Sequence, residues 1–364
     1  MSRSWVDVDR TAIGANVATL RAAAGGAELC AVVKADGYGH GAVPVARAAV
    51  DAGASRLAVA QVAEGIALRA AGFGEPIMVL SEPTPDEFDA AATFALEPTL
   101  YSPAGVQAAA RAGGLTAHLL VDTGMARVGA APAEAVAIAR QILASGRLAL
   151  GSVWTHLACA DDASQDHVTT AQVATYDDVL ADMAAARIEV PFRHAANSAG
   201  VIAHPAAHYD MVRCGIALYG LPPDPALADR VALRPALSWT TRVSYVKRLD
   251  ADVPVSYGHR QRTTGPTTVA TIPVGYADGL RRAWWEQGEV LIGGRRRPII
   301  GVVTMDQTMI DCGDHGAAPG DEVVLIGHQG DESITVDDMA EALGTITYEV
   351  PCLIGNRVER RYLG

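Results

Sequence analysis

Lysine is nearly missing from this chain. Of its 29 lysines and arginines in 364 residues, only Lys34 and Lys247 are lysine. A guanidinium cannot form an imine and holds its proton to beyond about pH 12, so a lysine retained against this background is informative. Long apolar runs are absent too. None approaches the 18 residues of a membrane span, and the opening MSRSWVDVDRTAIGAN lacks the apolar stretch of a signal peptide. A cytoplasmic protein with no membrane partner is expected. The net charge of −12 argues against nucleic acid as a partner. The one basic run, Arg295 to Arg297, follows Gly293-Gly294 and precedes Pro298, which reads as a hairpin turn. The five cysteines (30, 159, 214, 312 and 352) are odd in number, show no C-x-x-C spacing and sit mostly in apolar runs, so buried thiols are expected rather than disulfides or zinc. His204 and His208 have the spacing of a metal pair, but Pro205 follows the first and no glutamate lies between, so no metal site is expected.

The chain is long enough for two domains. Short apolar runs near 28–34, 56–61, 76–80, 94–99, 116–122, 148–156, 192–196 and 211–218 alternate with stretches such as GAVPVARAAVDAGA and APAEAVAIARQILASG, whose apolar residues recur at helical spacing. Eight strand candidates separated by seven helix candidates predict a (β/α)₈ TIM-type barrel. A doubly wound open sheet is the alternative, and the regularity of eight units favours closure. Four prolines in LPPDPALADRVALRPA (221–236) break the rhythm. Beyond them, alternation and glycine turns (SWTTRVSYVKRL, TVATIPVGYA, RPIIGVV, DEVVLIG) predict a mainly β domain with one helix near Thr335 to Leu343. The expected fold is thus α/β plus all-β, with a barrel over 1–230 and a β-rich domain over 231–364.

The segment AVVKADGYGHG (31–41) carries Lys34 to the end of an apolar strand and into a glycine-punctuated turn. Such a lysine loses solvation and its pKa falls, which suits a Schiff-base lysine. The segment resembles the pyridoxal-phosphate attachment site of the alanine racemase family. The resemblance continues in family order through VDTGMARVG (121–129), WTHLACAD (154–161), NSAG (197–200), MVRCGIALYG (211–220), VSYG (255–258), IPVGYADG (272–279), TMDQTMID (304–311) and ITYEVPC (346–352). Independently of it, Lys34, Arg127, His156, Asn197 and Ser198 fall at or just past predicted strand ends, and Arg213 and Gly215 lie in the eighth, where a barrel gathers its active site.

The resemblance implies roles. Lys34 would anchor pyridoxal 5′-phosphate and serve as base on one face of the substrate. Tyr257 would be the base on the other face, reaching the site from the partner subunit of a homodimer, with His156 and Arg213 behind it. Ser198, Gly215, Ile216, Tyr38 and Tyr348 would hold the phosphate, with Asn197 beside Ser198 and Leu80 lining the ring. Arg213 would face the pyridine nitrogen; a guanidinium cannot surrender its proton, so the ring stays a weak electron sink, which suits racemisation. Arg127, Met305, Tyr276 and Asp306 would bind a small substrate. The implied reaction interconverts L- and D-alanine for peptidoglycan.

Three positions depart from the family pattern: Leu120 stands where many members carry a carbamylated lysine, Ala126 where glycine is usual, and Thr304 where cysteine often precedes the methionine. A broad-specificity racemase, a non-catalytic pyridoxal-phosphate carrier and an amino-acid decarboxylase are the alternatives. Carriers resemble the first domain only, and Arg213 in place of an acidic residue disfavours decarboxylation.

Overall fold

The computed structural model describes residues 3–364, which fall into two compact units. One comprises residues 11–37 and 41–235, the other residues up to 10, 38–40 and 236–364. In the first unit eight parallel strands form one sheet: Glu28–Val32, Arg56–Val59, Ile77–Val79, Glu97–Leu100, Leu115–Leu120, Leu148–Trp154, Arg193–His194 and Met211–Cys214. The first seven pair in sequence order, and Met211–Cys214 pairs back onto Glu28–Val32. The last gap is spanned by single hydrogen bonds from Asp210 N to Arg193 O (3.0 Å) and from Arg213 N to Ala196 O (3.0 Å). A two-pronged Arg193–Asp210 ion pair lies beside them. The result is a nearly closed barrel, as expected for right-handed βα repeats.

Helices of this unit form where small apolar residues recur on one face. Ala42–Asp51 buries Val45, Ala46 and Ala49. Pro103–Ala112 starts with proline at its first turn and with the Ser102 hydroxyl accepting from Gly105 N, a favourable N-terminus. Gly65, on Val62–Ala70, lets the Leu96 methyls pack close: a Cβ there would lie 2.9 Å from them.

The second unit is mainly β. Its largest sheet runs Arg296–Pro298, Glu289–Ile292, Glu322–Gln329, Leu237–Arg242, Ser4–Asp9 and Glu359–Leu363, with Glu332–Ile334 added to Glu322–Gln329. All pairs are antiparallel except Ser4–Asp9 with Glu359–Leu363. The sequence reading assigns residues 1–230 to the barrel; Ser4–Asp9 instead takes both its partners from this sheet. A second sheet, Tyr245–Leu249, Thr267–Ile272 and Thr308–Gly313, packs Val269 against Val255 and Ile300. The helix expected near Thr335 is Val336–Leu343, with a reciprocal cap between Thr335 and Asp338 and a left-handed Gly344 at its end. Among the described residues no helix is long and apolar enough to cross a membrane, and no group of three or more His, Cys, Asp or Glu could hold a metal.

Candidate active site

Lys34 lies two residues beyond Val32, at the carboxyl end of the first barrel strand. The chain then makes a left-handed turn: Ala35, Asp36 and Gly37 have φ of 52°, 50° and 62°. Two of these residues are not glycine, and each costs about 1–2 kcal/mol in this conformation, so the turn must be held from outside. Gly37 N donates to Val33 O at 2.9 Å, Ala42 N to the Asp36 carboxylate at 2.8 Å, and Ala35 N to Glu64 Oε1 at 2.6 Å. The other Glu64 oxygen accepts from Ala60 N (2.8 Å) and Gln61 N (3.1 Å). Glu64, which sequence reasoning missed, thereby ties the Val62–Ala70 helix to the backbone next to Lys34.

Arg213 is 3% exposed. Its Nη1 donates to His194 Nδ1 (2.7 Å), and its Nη2 to Thr155 O (2.8 Å), Ala195 O (3.0 Å) and His156 Nδ1 (3.2 Å). The guanidinium carbon lies 4.5 Å from the Trp154 ring centre, and Trp154 stacks on His194. Burial lowers the Arg213 pKa to about 10, leaving it charged at neutral pH. Because a guanidinium only donates, His156 Nδ1 must be bare and its proton sits on Nε2. Burial, then the cations Arg213, Arg127 and Lys34, push the His156 pKa down to about 3. These four residues therefore share one electrostatic neighbourhood in which the imidazole is neutral.

Arg127 is exposed on the loop after Leu115–Leu120. Asp122 shapes that loop: its Oδ1 accepts from Gly124, Met125 and Ala126 N at 2.9–3.0 Å. Ala126 has φ 54°, which explains why glycine suits this position. Leu120 is 4% exposed, packed as a core side chain.

Three further strand ends carry residues singled out in the sequence. Asn197 caps Ser198–Ala203, accepting from Gly200 N at 3.0 Å. The buried Ser198 hydroxyl accepts from Gly215 N at 2.9 Å. Ile216 N, at the first position of a short 3₁₀ turn, has no carbonyl within that turn to bond. Leu80 directly follows Ile77–Val79 and is partly exposed.

The remaining candidates belong to the second unit. Tyr38 and Tyr348 stand with ring centres 6.5 Å apart, and burial raises the Tyr38 pKa. Tyr276 N and Ala277 N donate to Thr304 O and Met305 O, each at 3.0 Å, locking two loops together. A Cβ on Gly275 would lie 2.2 Å from Thr304 O, so only glycine permits this approach. Asp306 is engaged by Arg357 at 2.8 Å. Thr304 donates its hydroxyl to Gln307 O at 2.7 Å within the same loop. Tyr257 is 76% exposed, Met305 52% and Tyr276 44%.

The elements of the first unit match the model of the alanine racemase N-terminal domain over residues 8–223, and residues 236–362 match its C-terminal domain. The chain belongs to the alanine racemase family. It is 47% identical to an alanine racemase of Symbiobacterium thermophilum, covering 100% of this chain and 98% of that one. The crystal structure of alanine racemase from Streptomyces lavendulae is similar at a TM-score of 0.95 and 36% identity, covering 100% and 98% of the two chains. A histidine racemase from Leuconostoc mesenteroides shares the fold at a TM-score of 0.91 and 29% identity, covering 100% and 98%. Against this family, two departures have a local account: Leu120 simply fills core, and Ala126 accepts backbone strain that glycine would not.

Proposed function

We propose that this member of the alanine racemase family is a pyridoxal-phosphate-dependent isomerase that interconverts L- and D-alanine in the cytoplasm, supplying D-alanine for peptidoglycan. The residues present suit the cofactor: an amine at a strand end, a buried hydroxyl with backbone N–H groups around it, and Arg213, whose Nε forms no hydrogen bond among the described residues. Bound through Lys34, pyridoxal phosphate supplies an electron sink that makes the substrate Cα–H acidic. Ser198, Gly215, Ile216, Tyr38 and Tyr348 hold its phosphate, Asn197 braces Ser198, and Leu80 packs on the ring. Arg213 keeps its own proton and so would leave the pyridine nitrogen unprotonated, which would limit side reactions.

Lys34 moves a proton on one face of Cα and Tyr257 on the other. Arg127 holds the substrate carboxylate, Met305 and Asp306 complete its binding, and Tyr276 narrows the entrance to favour a side chain the size of methyl. His156 presents a protonated Nε2 and remains neutral, so it orients the phenol without adding charge. The observation that carries this reading is Arg213, buried and 3.2 Å from His156 Nδ1, on the strand paired with the one that delivers Lys34. The exposure of Tyr257, Tyr276 and Met305 supports sites shared between two copies.

Subunit mixing tests it. Lys34→Ala and Tyr257→Phe should each abolish racemisation. When the two variants are unfolded and refolded together, about a quarter of the sites should recover, because a hybrid C₂ dimer has one intact site. No recovery would place both residues in one subunit's site or remove them from catalysis. The similarity to a histidine racemase favours broad specificity as a second reading; racemisation rates on alanine, serine, lysine, arginine and histidine decide between them.

A further inference from the structure

The barrel interior holds polar groups that the proposed chemistry does not use. Ser152 and His194 are 0% exposed and His118 is 3% exposed. Among the described residues no carboxylate pairs directly with Arg213; its partners are carbonyls, two imidazole nitrogens and the Trp154 face. A buried cation without an anion is costly, so its compensation must arrive indirectly.

A single chain of hydrogen bonds leads from it to a carboxylate. His194 Nε2 is 2.8 Å from Ser152 Oγ, Ser152 Oγ is 2.7 Å from His118 Nδ1, and His118 Nε2 is 3.0 Å from Glu97 Oε2. With both imidazoles singly protonated, chemistry at the two ends orders the protons between them. Arg213 only donates, so His194 Nδ1 is bare and its Nε2–H donates to Ser152. The Ser152 hydroxyl then donates to His118 Nδ1, leaving Nε2–H to donate to Glu97, which as a carboxylate only accepts. All four bonds point the same way and polarise one another. Glu97 is also contacted by Arg56 (3.3 Å), and Arg56 by Glu28 (3.5 Å), so two cations and two anions balance.

We propose that Glu97 is the counter-ion of Arg213, coupled to it through His118, Ser152 and His194, and that these four side chains are positioning residues for the guanidinium. The chain makes His194 Nδ1 a stronger acceptor, which fixes the orientation of Nη1 and hence of the whole planar group. The catalytic consequence rests on the racemase reading above, whereas the coupling itself does not.

The test uses Glu97→Gln, Ser152→Ala and the double variant in the full chain. Thr99→Val is the control, because Thr99 is fully buried opposite His118 and its hydroxyl has no partner. With pyridoxal phosphate bound, each single variant should lower kcat about tenfold and leave KM for alanine within about twofold. The double variant should fall no more than about twofold below the worse single, because cutting the chain at Ser152 already isolates Glu97. Multiplying effects, an equal loss in Thr99→Val, or unchanged kcat with only lowered melting temperature would each overturn the proposal. Nitrogen-15 NMR of histidine-labelled protein reads the coupling without any activity. Glu97→Gln should move the His194 ring signals in the wild-type background and leave them still when Ser152 is alanine. Movement in both backgrounds, or in neither, refutes the chain even if racemisation proves absent. Should Glu97→Gln fail to fold, Ser152→Ala must by itself lower kcat and shift the His194 signals, or the proposal falls.

Discussion

Asp122→Ala removes one carboxylate oxygen on which three backbone N–H groups converge, at 2.9–3.0 Å from Gly124, Met125 and Ala126. A hydrogen bond to a charged acceptor contributes about 1.5–3 kcal/mol when sheltered. Gly124 and Ala126 are exposed, so water replaces much of what they lose, and the total loss is about 2 kcal/mol. Asp122 N and Ala130 N remain bonded to Ala130 O and Leu120 O, both at 2.9 Å, so the loop keeps its ends and loses its shape. Arg127 follows Ala126 directly and takes the damage. The expected result is a melting point lower by a few degrees and KM for alanine raised roughly 5- to 30-fold, the equivalent of one to two kcal/mol, with kcat changed much less. Asp122→Asn keeps an acceptor oxygen and should recover most of the KM. Steady-state kinetics beside thermal unfolding checks this. A lowered melting point with unchanged KM would show that Arg127 does not depend on the Asp122 turn, and that the loop's shape is irrelevant to substrate binding.

Ala126→Gly should stabilise the protein by about 0.5 kcal/mol, since relief of the left-handed penalty exceeds the entropy glycine loses on folding; an unchanged denaturant midpoint would count against strain there. Lys34→Ala should lose the cofactor's visible absorbance together with racemisation, while Lys247→Ala, exposed on Tyr245–Leu249, should keep both. His156 is held at about 3 against an ordinary 6.5, so the unfolded chain binds a proton that the folded one refuses in that window. Stability should therefore drop as pH falls below about 6.5, and His156→Gln should lose less melting temperature between pH 7 and pH 5 than wild type does.

The barrel was legible because most of its strands lie in apolar runs between helical patterns, and because parallel strands buried on both faces need such runs. Lys34 could be found from its strand-end context alone. Ser4–Asp9 could not: SWVDVD alternates as an antiparallel strand should, but its partners lie at 237–242 and 359–363, beyond any local reading. Glu64 hides for a related reason, since a helix-capping glutamate looks the same whether or not its second oxygen reaches Ala35. His118, Ser152 and His194 did leave a trace, as polar residues inside apolar strands (LTAHLL, SVW, RHAA). Which of them meet is decided by the register of neighbouring strands, which sequence periodicity does not encode.

The parallel pairing of Ser4–Asp9 with Glu359–Leu363 sets a schedule for biosynthesis. A nascent chain exposes its first β-strand at the ribosome long before either flanking strand has been translated. The intervening barrel can mature in that interval from its own short-range contacts, while the opening hexapeptide waits for more than two hundred further codons to be read. A stall before residues 237–242 are made would then yield a barrel carrying an unpaired amphipathic strand, the kind of edge that chaperones recognise and aggregates recruit.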